Sequence, residues 1–543
     1  MFFQGEIYNK AELGFGELPD AEALIALYRK QGVNGFAGVR GAFACAIEHG
    51  NKTILIRDQF GSVPFYYYSR VERVDRVEKI LCSTSVRELL GQGVPRKLSK
   101  EGLFSYLAYG CLYAPYTMIE GVRIVPPGCV VTIEGDKVSC ERYWKPSFDL
   151  KSWEQDELQA AINSEFARSL AEQVETPILD SPSATPAAFL SGGIDSSSIV
   201  SMWRKQFDGE IRTYCVTHED PLTDERKWSR MVAERNHTKH TELMLEDRLI
   251  REWFDEAVAS YDQPSLDGLN FWFATKLLKM QTNEKLVFSG EGGDELFMGY
   301  GQFIKPRLAY RYSPVMKHLP RFVGAAIDAV APKEKYRKLA MLAGFKGEPY
   351  YTSRRVLTDW QIDKTLNPEL KVGSTRFTRP VQFNYTDDLP NDLLNRISWL
   401  EMQTVTADMW MRDGFQTSAS NGLALRMPIC DVRLAELLYT VPGKMKCDEK
   451  ISKPLLVRAA GDGLPMECVT RKKQGFALPF DRYFFGEVRE RIDEFLAGGN
   501  VRLFKPEVIR RMGRQYREGK LYWSRVWELF MVENWCRANK IAV

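Results

Sequence analysis

The sequence has almost no excess of charge of either sign. Lysine and arginine total 74, aspartate and glutamate total 71, and the formal net charge is +3 over 543 residues. No long basic run stands out, so the chain lacks the electrostatic footprint of a protein that binds nucleic acid or an anionic membrane. We therefore expect neither nucleic acid nor a membrane among its partners.

Paired cysteines and long apolar runs are also missing. None of the ten cysteines forms a CxxC pair, which argues against a structural zinc site and against a disulfide-rich secreted scaffold. No uninterrupted apolar run approaches the roughly 20 residues of a membrane span. The start, MFFQGEIYNK, has neither the basic region nor the apolar region of a signal peptide. These absences predict a cytoplasmic protein with reduced thiols.

The strand and helix patterns divide the chain in two. Residues 1–145 contain short β-branched runs and, at 20–32, an amphipathic helix that Asp20 could cap. From residue 187 apolar strands alternate with helical stretches, and beyond about 300 the chain has a mainly helical pattern. This alternation predicts an α/β fold with a parallel, doubly wound sheet. We predict one domain over 1–145 and a second over 150–543.

The stretch FLSGGIDSSSIV (189–200) carries the first functional signal. Ser191, Gly192 and Gly193 follow an apolar strand and precede a helix that we expect to start near Ser196, and parallel sheets bind ligands at such strand ends. Glycines let the backbone approach an anion, and the helix start directs N–H groups to the same place. The lysine of the P-loop, G-x-x-x-x-G-K-[ST], is missing. We therefore predict that the loop binds the pyrophosphate of a nucleotide cleaved between its α and β phosphates.

Carboxylates next to these strand ends indicate a cation. Asp195 would repel a phosphate unless a cation such as Mg²⁺ lay between them. In LVFSGEGGDELFMGY (286–300) another strand ends in Ser-Gly, and Glu291, Asp294 and Glu295 follow within five residues. Such crowding is costly unless a positive charge lies among the carboxylates. We predict that Asp294 joins Asp195 on magnesium and that Glu291 faces the reacting carbon as a base or orienting group.

Together, these two motifs resemble the synthetase domain of the glutamine-dependent asparagine synthetases. Further segments resemble that family in the same order: GEIYN (5–9), IRDQFGSVPFYYY (56–68), LRMPICD (425–431), KPLLVRAAGDGLP (453–465) and RKKQGFALPF (471–480). The resemblance implies the remnant of an αββα, Ntn-hydrolase-like sandwich, followed by a PP-loop (adenine nucleotide α-hydrolase-like) domain with a helical C-terminal part. It also implies an AMP-forming carbon–nitrogen ligase with ATP and Mg²⁺ as cofactors. Such an enzyme adenylates a small-molecule or peptide carboxylate, aspartate by family default, and then transfers ammonia or an amine to it.

The resemblance assigns roles to single residues. Lys453 matches the lysine that stabilises the leaving pyrophosphate and the tetrahedral intermediate, and Glu291 matches the glutamate tied to adenylate formation or to deprotonation of the incoming nitrogen. The positions that hold ATP, largely through their backbone, correspond to Leu190, Val216, Ser289 and Gly290, with Ser191 and Ser196 as hydroxyl donors. The glutamine-binding positions correspond to Gly5, Glu6 and Asp20.

The N-terminal part departs from the family pattern. The family nucleophile is an N-terminal cysteine, whereas the first cysteine here is Cys45, which lies in a β-like run and is expected in the core. We therefore predict a truncated glutaminase-like domain without glutaminase activity, unless Met1 is a wrong start or the chain is a fragment. Nitrogen would then come as free ammonia, as an amine, or from a separate glutaminase.

The acceptor region departs as well. Ala424 replaces the glutamate of the family's E-x-R motif, which argues against a β-lactam synthetase, and Phe415-Gln416 replaces an Asp-Arg pair. The family shapes its substrate pocket at positions that correspond to Asp262, Pro264 and Asp267. The alternatives are a tailoring amide or lactam synthetase such as a lasso-peptide cyclase, and a tRNA-modifying PP-loop enzyme. The charge balance and the missing cysteine pair argue against the latter. A homodimer is possible in either case.

Overall fold

The computed structural model describes most of the chain. The described residues are 1–71, 78–178, 181, 184–218, 224–266, 269–299, 303–331, 334–372, 389–472 and 488–543. Asp267 and most of the RKKQGFALPF segment, from residue 473 onward, lie outside them. Within these ranges, no helix is both long enough and apolar enough to cross a bilayer.

Two antiparallel sheets build the N-terminal part. Their strands are β1 (Phe2–Ile7), β2 (Gly41–His49), β3 (Lys52–Arg57), β4 (Tyr66–Val71), β5 (Glu78–Ser83), β6 (Val122–Ile124), β7 (Cys129–Glu134) and β8 (Lys137–Arg142). One sheet has the order β1-β2-β3-β7-β8 and the other has the order β5-β4-β6. Because side chains alternate along a strand, Leu55 of β3 packs between the two sheets, whereas Ile54 and Ile56 face outward.

A helix covers the outward side of the larger sheet, and two helices cover the smaller one. The helix Asp20–Gln31 packs Leu24 and Leu27 against Ile54 and Ile56. The helices Val86–Gly91 and Lys100–Tyr109 belong to the same apolar cluster as Tyr66 of β4. The N-terminal part therefore stacks in the order helix, sheet, sheet, helix.

The prediction that Asp20 caps its helix is wrong. Pro19 is the N-cap residue, and no side chain caps the helix. The Asp20 carboxylate instead accepts the backbone N–H of Ile7 at 2.9 Å and pairs with Lys10 at 2.7 Å. A long-range backbone donor and a cation thus replace the local capping bond.

A five-stranded parallel sheet forms the centre of the remaining chain, as the strand–helix alternation predicts. Its strands are β9 (Ala187–Phe189), β10 (Arg212–His218), β11 (Lys239–Leu245), β12 (Leu286–Phe288) and β13 (Ala424–Arg426), in the order β11-β10-β9-β12-β13. Because β9 and β12 are neighbours, the two Ser-Gly segments that follow them leave the sheet side by side. The helices of this layer are Gln155–Glu175, Ile194–Arg204, Arg226–Arg235, Asp247–Ser260, Leu269–Gln281 and Gly293–Leu296.

The rest of the described chain is mainly helical. Its α-helices are Ile304–Met316, Arg321–Val330, Glu334–Ala340, Tyr350–Ser353, Asp359–Thr365, Leu393–Glu401, Arg412–Ser420, Val432–Tyr439, Pro454–Ala460, Met466–Thr470, Arg489–Leu496, Pro506–Arg517 and Trp523–Ala538. Met402–Met411 is a π-helix, and short 3₁₀ turns span Gly32–Gly38, Pro368–Leu370, Gly443–Met445 and Gly461–Gly463.

A buried ion pair fixes the two parts of the chain to each other. Arg57 of β3 is fully buried and donates to the carbonyl of Ala407 at 3.2 Å and to the carboxylate of Asp408 at 3.4 Å, both in the π-helix. The other oxygen of Asp408 accepts the N–H of Ala114 at 2.7 Å. The π-helix thus lies where the N-terminal part attaches, and π-helical turns are common at functional sites.

Candidate functional site

A cavity of about 250 Å³ opens at the carboxyl ends of β9 and β12. Sequence-predicted residues line it: Leu190, Ser191, Gly193, Asp195, Ser196, Val216, Ser289, Gly290, Glu291, Asp294 and Lys453. Gly192, Gly5, Glu6 and Asp20 do not line this cavity. The structure thus brings together the residues predicted for nucleotide, metal and catalysis, apart from Gly192, and leaves the three glutamine-binding positions elsewhere.

The loop after β9 has the geometry of an anion site. The helix begins at Ile194, two residues before the predicted start, and its first intrahelical bond runs from the N–H of Ser197 to the carbonyl of Gly193. The N–H groups before Ser197 therefore have no partner inside the helix. The hydroxyls of Ser191 and Ser196 lie 3.2 Å apart beside them. The helix start, with its free N–H groups and positive dipole end, thus lies beside two hydroxyls, an arrangement that suits phosphate.

The glycines of the two loops serve different purposes. Gly192 has a φ of +70°, and a Cβ there would lie 2.5 Å from the carbonyl carbon of Trp228. Its small size is thus needed for the turn and for packing, and its predicted contact with an anion stays a prediction. A Cβ on Gly293 would lie 2.1 Å from Oδ1 of Asp195, and one on Gly290 would lie 2.8 Å from Cβ of Asp195. Those two glycines let the loops after β9 and β12 touch.

Lys453 joins the two predicted magnesium ligands. Its Nζ donates to both carboxylate oxygens of Asp195 and, at 2.8 Å, to Oδ1 of Asp294. Burial by itself would lower the pKa of Lys453, but the carboxylates of Asp195 and Asp294 outweigh it and raise that pKa above its usual range. One ammonium group therefore holds the ends of two loops that are about a hundred residues apart in the sequence.

The backbone of Lys453 is unusual for a residue with a side chain. Its φ and ψ are both 54°, in the left-handed region, and it precedes Pro454 at the start of the helix Pro454–Ala460. A residue other than glycine pays about 1–2 kcal/mol for this conformation, and such strain is concentrated at functional sites. The surrounding structure holds the side chain so that it points at the two aspartates.

Glu295 explains how the acidic cluster after β12 is tolerated. It is buried, and burial, followed by the nearby charges of Asp294 and Glu291, raises its pKa to about 8. Glu295 therefore keeps its proton at neutral pH. The crowding that the sequence indicated is relieved in two ways, by the ammonium group of Lys453 and by the proton on Glu295.

Asp195 and Asp294 fit a magnesium ion that is shared with a nucleotide. Both carboxylates reach one cation, the Nζ of Lys453, so their oxygens face a common point. Mg²⁺ is bound in nucleotide enzymes through one or two carboxylates together with phosphate oxygens. Across the part of the chain that the structure describes, no group of three or more His, Cys, Asp or Glu residues could form a metal site by itself. The donor set suits a metal that arrives with phosphates.

Sequence reasoning missed an ion pair in the cavity wall. Arg471 donates to Glu225 at 2.8 Å, and both residues line the cavity. Burial raises the pKa of Glu225 to about 6 in spite of the arginine. A signal was present, since Arg471 opens the RKKQGFALPF segment, but nothing local connects it to Glu225, which lies 246 residues away.

The three glutamine-binding positions of the family are engaged within the protein. Glu6 pairs through both carboxylate oxygens with Arg426, at 2.7 and 2.9 Å, and the carbonyl of Arg426 accepts the N–H of Ser289 in the cavity wall. Gly5 has a φ of +122°, and a Cβ there would lie 2.0 Å from the carbonyl oxygen of Ala42. With Asp20 bonded to Ile7, both carboxylates stabilise the fold around them.

Two further sequence-predicted residues lie away from the cavity. Asp262 was expected to shape the substrate pocket, but it does not line the cavity and accepts hydrogen bonds from Ser85, from the N–H of Val86 and from Gln416. The start of the helix Val86–Gly91 offers N–H donors that attract this carboxylate. Cys45 is buried in β2, as expected for a core residue, and burial raises the pKa of its thiol.

Comparisons with known proteins identify the family to which the chain belongs. Residues 165–537 match the family model of asparagine synthase, and residues 1–144 match the glutamine amidotransferase domain. Asparagine synthetase (glutamine-hydrolyzing) 1 of Bacillus subtilis strain 168 is 26% identical over 517 residues, which cover 90% of this chain and 77% of that protein. The carboxyethyl-arginine beta-lactam-synthase of Streptomyces clavuligerus is 27% identical over 403 residues, covering 72% of this chain and 71% of that protein.

A similarity to solved structures is much weaker. The glutamine phosphoribosylpyrophosphate amidotransferase of B. subtilis, solved with ADP and GMP, has 12% sequence identity and a TM-score of 0.18 over 45% of each chain. A score this low bears on neither the fold nor the site.

Proposed function

The chain belongs to the asparagine synthase family of ATP-dependent ligases, and on that premise we propose that it adenylates a carboxylate and transfers ammonia or an amine to it. One observation carries the proposal: Lys453 bridges Asp195 and Asp294 at the tips of β9 and β12, next to a loop built for anions. Boundaries of 1–145 and 150–543 for the two domains belong to the same proposal.

In the first step, a carboxylate oxygen of the acceptor attacks the α-phosphorus of ATP, and the bond to the β-phosphate oxygen breaks. Ser191, Ser196 and the N–H groups at the start of the helix Ile194–Arg204 hold the departing pyrophosphate. Asp195 and Asp294 hold Mg²⁺, which supplies neutralising charge for the phosphate oxygens when it is bound. Lys453 adds a positive charge where negative charge builds up on the leaving group.

In the second step, nitrogen attacks the acyl carbon and AMP leaves. Glu291 lines the cavity beside Asp294 and is the proposed base or orienting group for the incoming nitrogen. The adenine would lie against the apolar part of the wall, where the rings of Phe189 and Phe271 meet edge to face at 5.9 Å next to Leu190 and Val216. The wall thus offers an apolar surface for a base and polar donors for a triphosphate.

The acceptor is aspartate by family default, and a tailoring amide or lactam synthetase is the second candidate. What favours the second is that Gln416 and Asp262 are hydrogen-bonded to each other at 2.9 Å, outside the cavity. The family's substrate-shaping position is therefore occupied internally in this chain. The similarity to a β-lactam synthase points the same way, although Ala424 replaces the glutamate that β-lactam formation uses.

The nitrogen donor is a further part of the proposal. Cys45 is buried in β2, which makes it unsuitable as a nucleophile. We propose ammonia, an amine substrate, or ammonia from a separate glutaminase as the donor. A homodimer remains compatible with each donor.

ATP–pyrophosphate exchange tests the function. The 543-residue polypeptide with Mg²⁺ should exchange pyrophosphate into ATP in the presence of the right carboxylate, with aspartate tested first and then peptides with a free side-chain carboxylate. Lys453→Met should abolish exchange, whereas Lys450→Met, an exposed lysine three residues away, should keep it. Amide formation is then measured with ammonium, an amine or glutamine as donor. Exchange with no carboxylate of the panel, while ATP binds, would refute the proposed reaction.

A further inference from the structure

Arg471 is placed against the predicted pyrophosphate loop. A Cβ on Gly193 would lie 3.8 Å from Nη2 of Arg471, so the guanidinium group lies across the loop within the same cavity. Two contacts fix it there: the ion pair with Glu225 at 2.8 Å, and the ring of Trp228, whose centre is 5.5 Å from the guanidinium carbon. The same Trp228 packs against Gly192. The position of the arginine is therefore coupled to the shape of the loop.

The guanidinium group has unused hydrogen-bonding capacity. The side chain of Arg471 is only 8% exposed, and its buried Nη1 has no hydrogen-bond partner among the described residues. A guanidinium group carries five N–H donors, and a buried charged donor without a partner is costly. Buried polar atoms of this kind are rare in native proteins unless a ligand or water completes them. Within the described ranges, Nη1 of Arg471 therefore lacks an acceptor that a bound ligand could supply.

The surroundings identify the missing acceptor as a phosphate. The N–H groups at the helix start have no partner inside the helix, and the hydroxyls of Ser191 and Ser196, which are hydrogen-bonded to each other at 3.2 Å, line the same cavity. Arginine matches phosphate oxygens with two parallel N–H bonds, which lysine cannot do. We propose that Arg471 binds the β or γ phosphate of ATP and holds the leaving pyrophosphate, and that Glu225 is the anion with which these phosphates compete for the guanidinium group. This inference rests on the proposed function and adds a specific residue to it.

A purely structural role for Arg471 makes a different prediction. If the arginine only neutralised Glu225, removal of either partner would have the same consequence. If the arginine binds phosphate, removal of Glu225 leaves that donor intact and takes away a competing anion. The two single variants therefore separate the roles.

Calorimetric titration of the 543-residue protein with MgATP, magnesium pyrophosphate and AMP tests the proposal. Arg471→Gln should weaken ATP and pyrophosphate binding by about 10- to 100-fold and change AMP binding by less than about twofold, as expected for loss of a charged hydrogen bond. The affinity of Arg471→Lys for ATP and pyrophosphate should lie between those of the wild type and Arg471→Gln. Glu225→Gln keeps an oxygen that can accept the hydrogen bond of Arg471 and loses the negative charge, so pyrophosphate binding should be as tight as in the wild type or tighter. Lys472→Gln, the exposed neighbour with the same loss of charge, is the matched control and should bind all three ligands normally.

Three results would overturn the role of Arg471. They are unchanged pyrophosphate affinity in Arg471→Gln, an equal loss of affinity for AMP and ATP, and identical losses in Arg471→Gln and Glu225→Gln. AMP binding also reports whether the variants are folded, and Arg471→Lys provides a second, milder variant. If the wild type bound no nucleotide at all, the proposed function itself would fail. If the wild type catalysed exchange but Arg471→Gln were normal, only this inference would fail.

Discussion

Replacing Lys453 by methionine removes the cation between two aspartates and keeps most of the side-chain volume. The side chain of Lys453 is 3% exposed, whereas the side chains of Asp195 and Asp294 are 22% and 15% exposed. Removing one partner of a buried ion pair typically costs about 3–5 kcal/mol. Because water reaches both carboxylates in part, we expect the lower end of that range, about 3 kcal/mol, in a buffer with EDTA.

This loss should be visible in thermal unfolding. At about 2.1 cal/mol/K per residue, the unfolding entropy of the proposed domain 150–543 is about 0.8 kcal/mol/K. A destabilisation of about 3 kcal/mol then lowers the midpoint by about 4 °C. Mg²⁺ should restore most of the lost stability, because an ion at about 100 times its dissociation constant adds about 2.7 kcal/mol to the free energy of unfolding. In the wild type the gain should be smaller, since Lys453 already occupies both carboxylates.

Calorimetric scans of the wild type, Lys453→Met and the exposed-lysine control Lys450→Met, each with EDTA and with Mg²⁺, provide the assay. The control should melt with the wild type under both conditions. The reasoning is refuted if Lys453→Met melts at the wild-type temperature in EDTA. It is also refuted if Mg²⁺ raises the midpoints of wild type and variant equally.

The remaining predictions concern the acidic cluster, the loop contact and the junction of the two parts. Burial raises the pKa of Glu295 from 4.5 to about 8, so the protonated side chain contributes stability that is complete below pH 4.5 and lost as the pH rises through 8. Glu295→Gln should lack this loss. Denaturant titrations should therefore show that the stability of the variant relative to the wild type is about 3 kcal/mol greater at pH 7 than at pH 4. Gly293→Ala should lower the rate of ATP–pyrophosphate exchange at least about tenfold, because its Cβ would lie 2.1 Å from Oδ1 of Asp195. The control Gly91→Ala should leave the rate unchanged, because its Cβ would have no neighbour within 4 Å. Glu6→Gln should destabilise the protein by about 3 kcal/mol in urea titrations, because Arg426 is fully buried and loses its charged partner; an unchanged midpoint would contradict the importance of that pair.

The features that the sequence revealed are those with a local cause. The strands β9 and β12 are short apolar runs, and a Ser-Gly segment and a helix start follow each of them. This pattern can be recognised in the sequence without any knowledge of tertiary contacts. Since strands of a parallel sheet present their carboxyl ends on one edge, Asp195 and Asp294 could be expected near each other. The parallel sheet is confirmed, and the cavity contains both aspartates. The roles of these residues stay a proposal.

The features that the sequence did not reveal depend on distant partners. Asp20 satisfies the cap pattern, but its carboxylate accepts the N–H of Ile7 and pairs with the ammonium group of Lys10 instead. Asp262 is drawn to the start of the helix Val86–Gly91, on the other part of the chain. The conformation of Lys453 and the pairing of Glu225 with Arg471 likewise require the folded neighbours. Local pattern thus predicts where strands end, and long-range charge decides which side chains meet there.

The balance of charge in the cavity supports the proposed roles of Lys453 and of a metal. In the structure, Lys453 is shared by Asp195 and Asp294, so one positive charge faces two carboxylates. A triphosphate that enters this place adds several negative charges, and the single ammonium group cannot neutralise both sets. Asp195 and Asp294 would hold a divalent cation, whose positive charge would neutralise them, so that Lys453 could donate to the phosphates instead. Binding of ATP without Mg²⁺ should therefore be weak in the wild type because of Asp195 and Asp294, and Asp294→Asn should lessen this dependence on the metal even as it slows exchange.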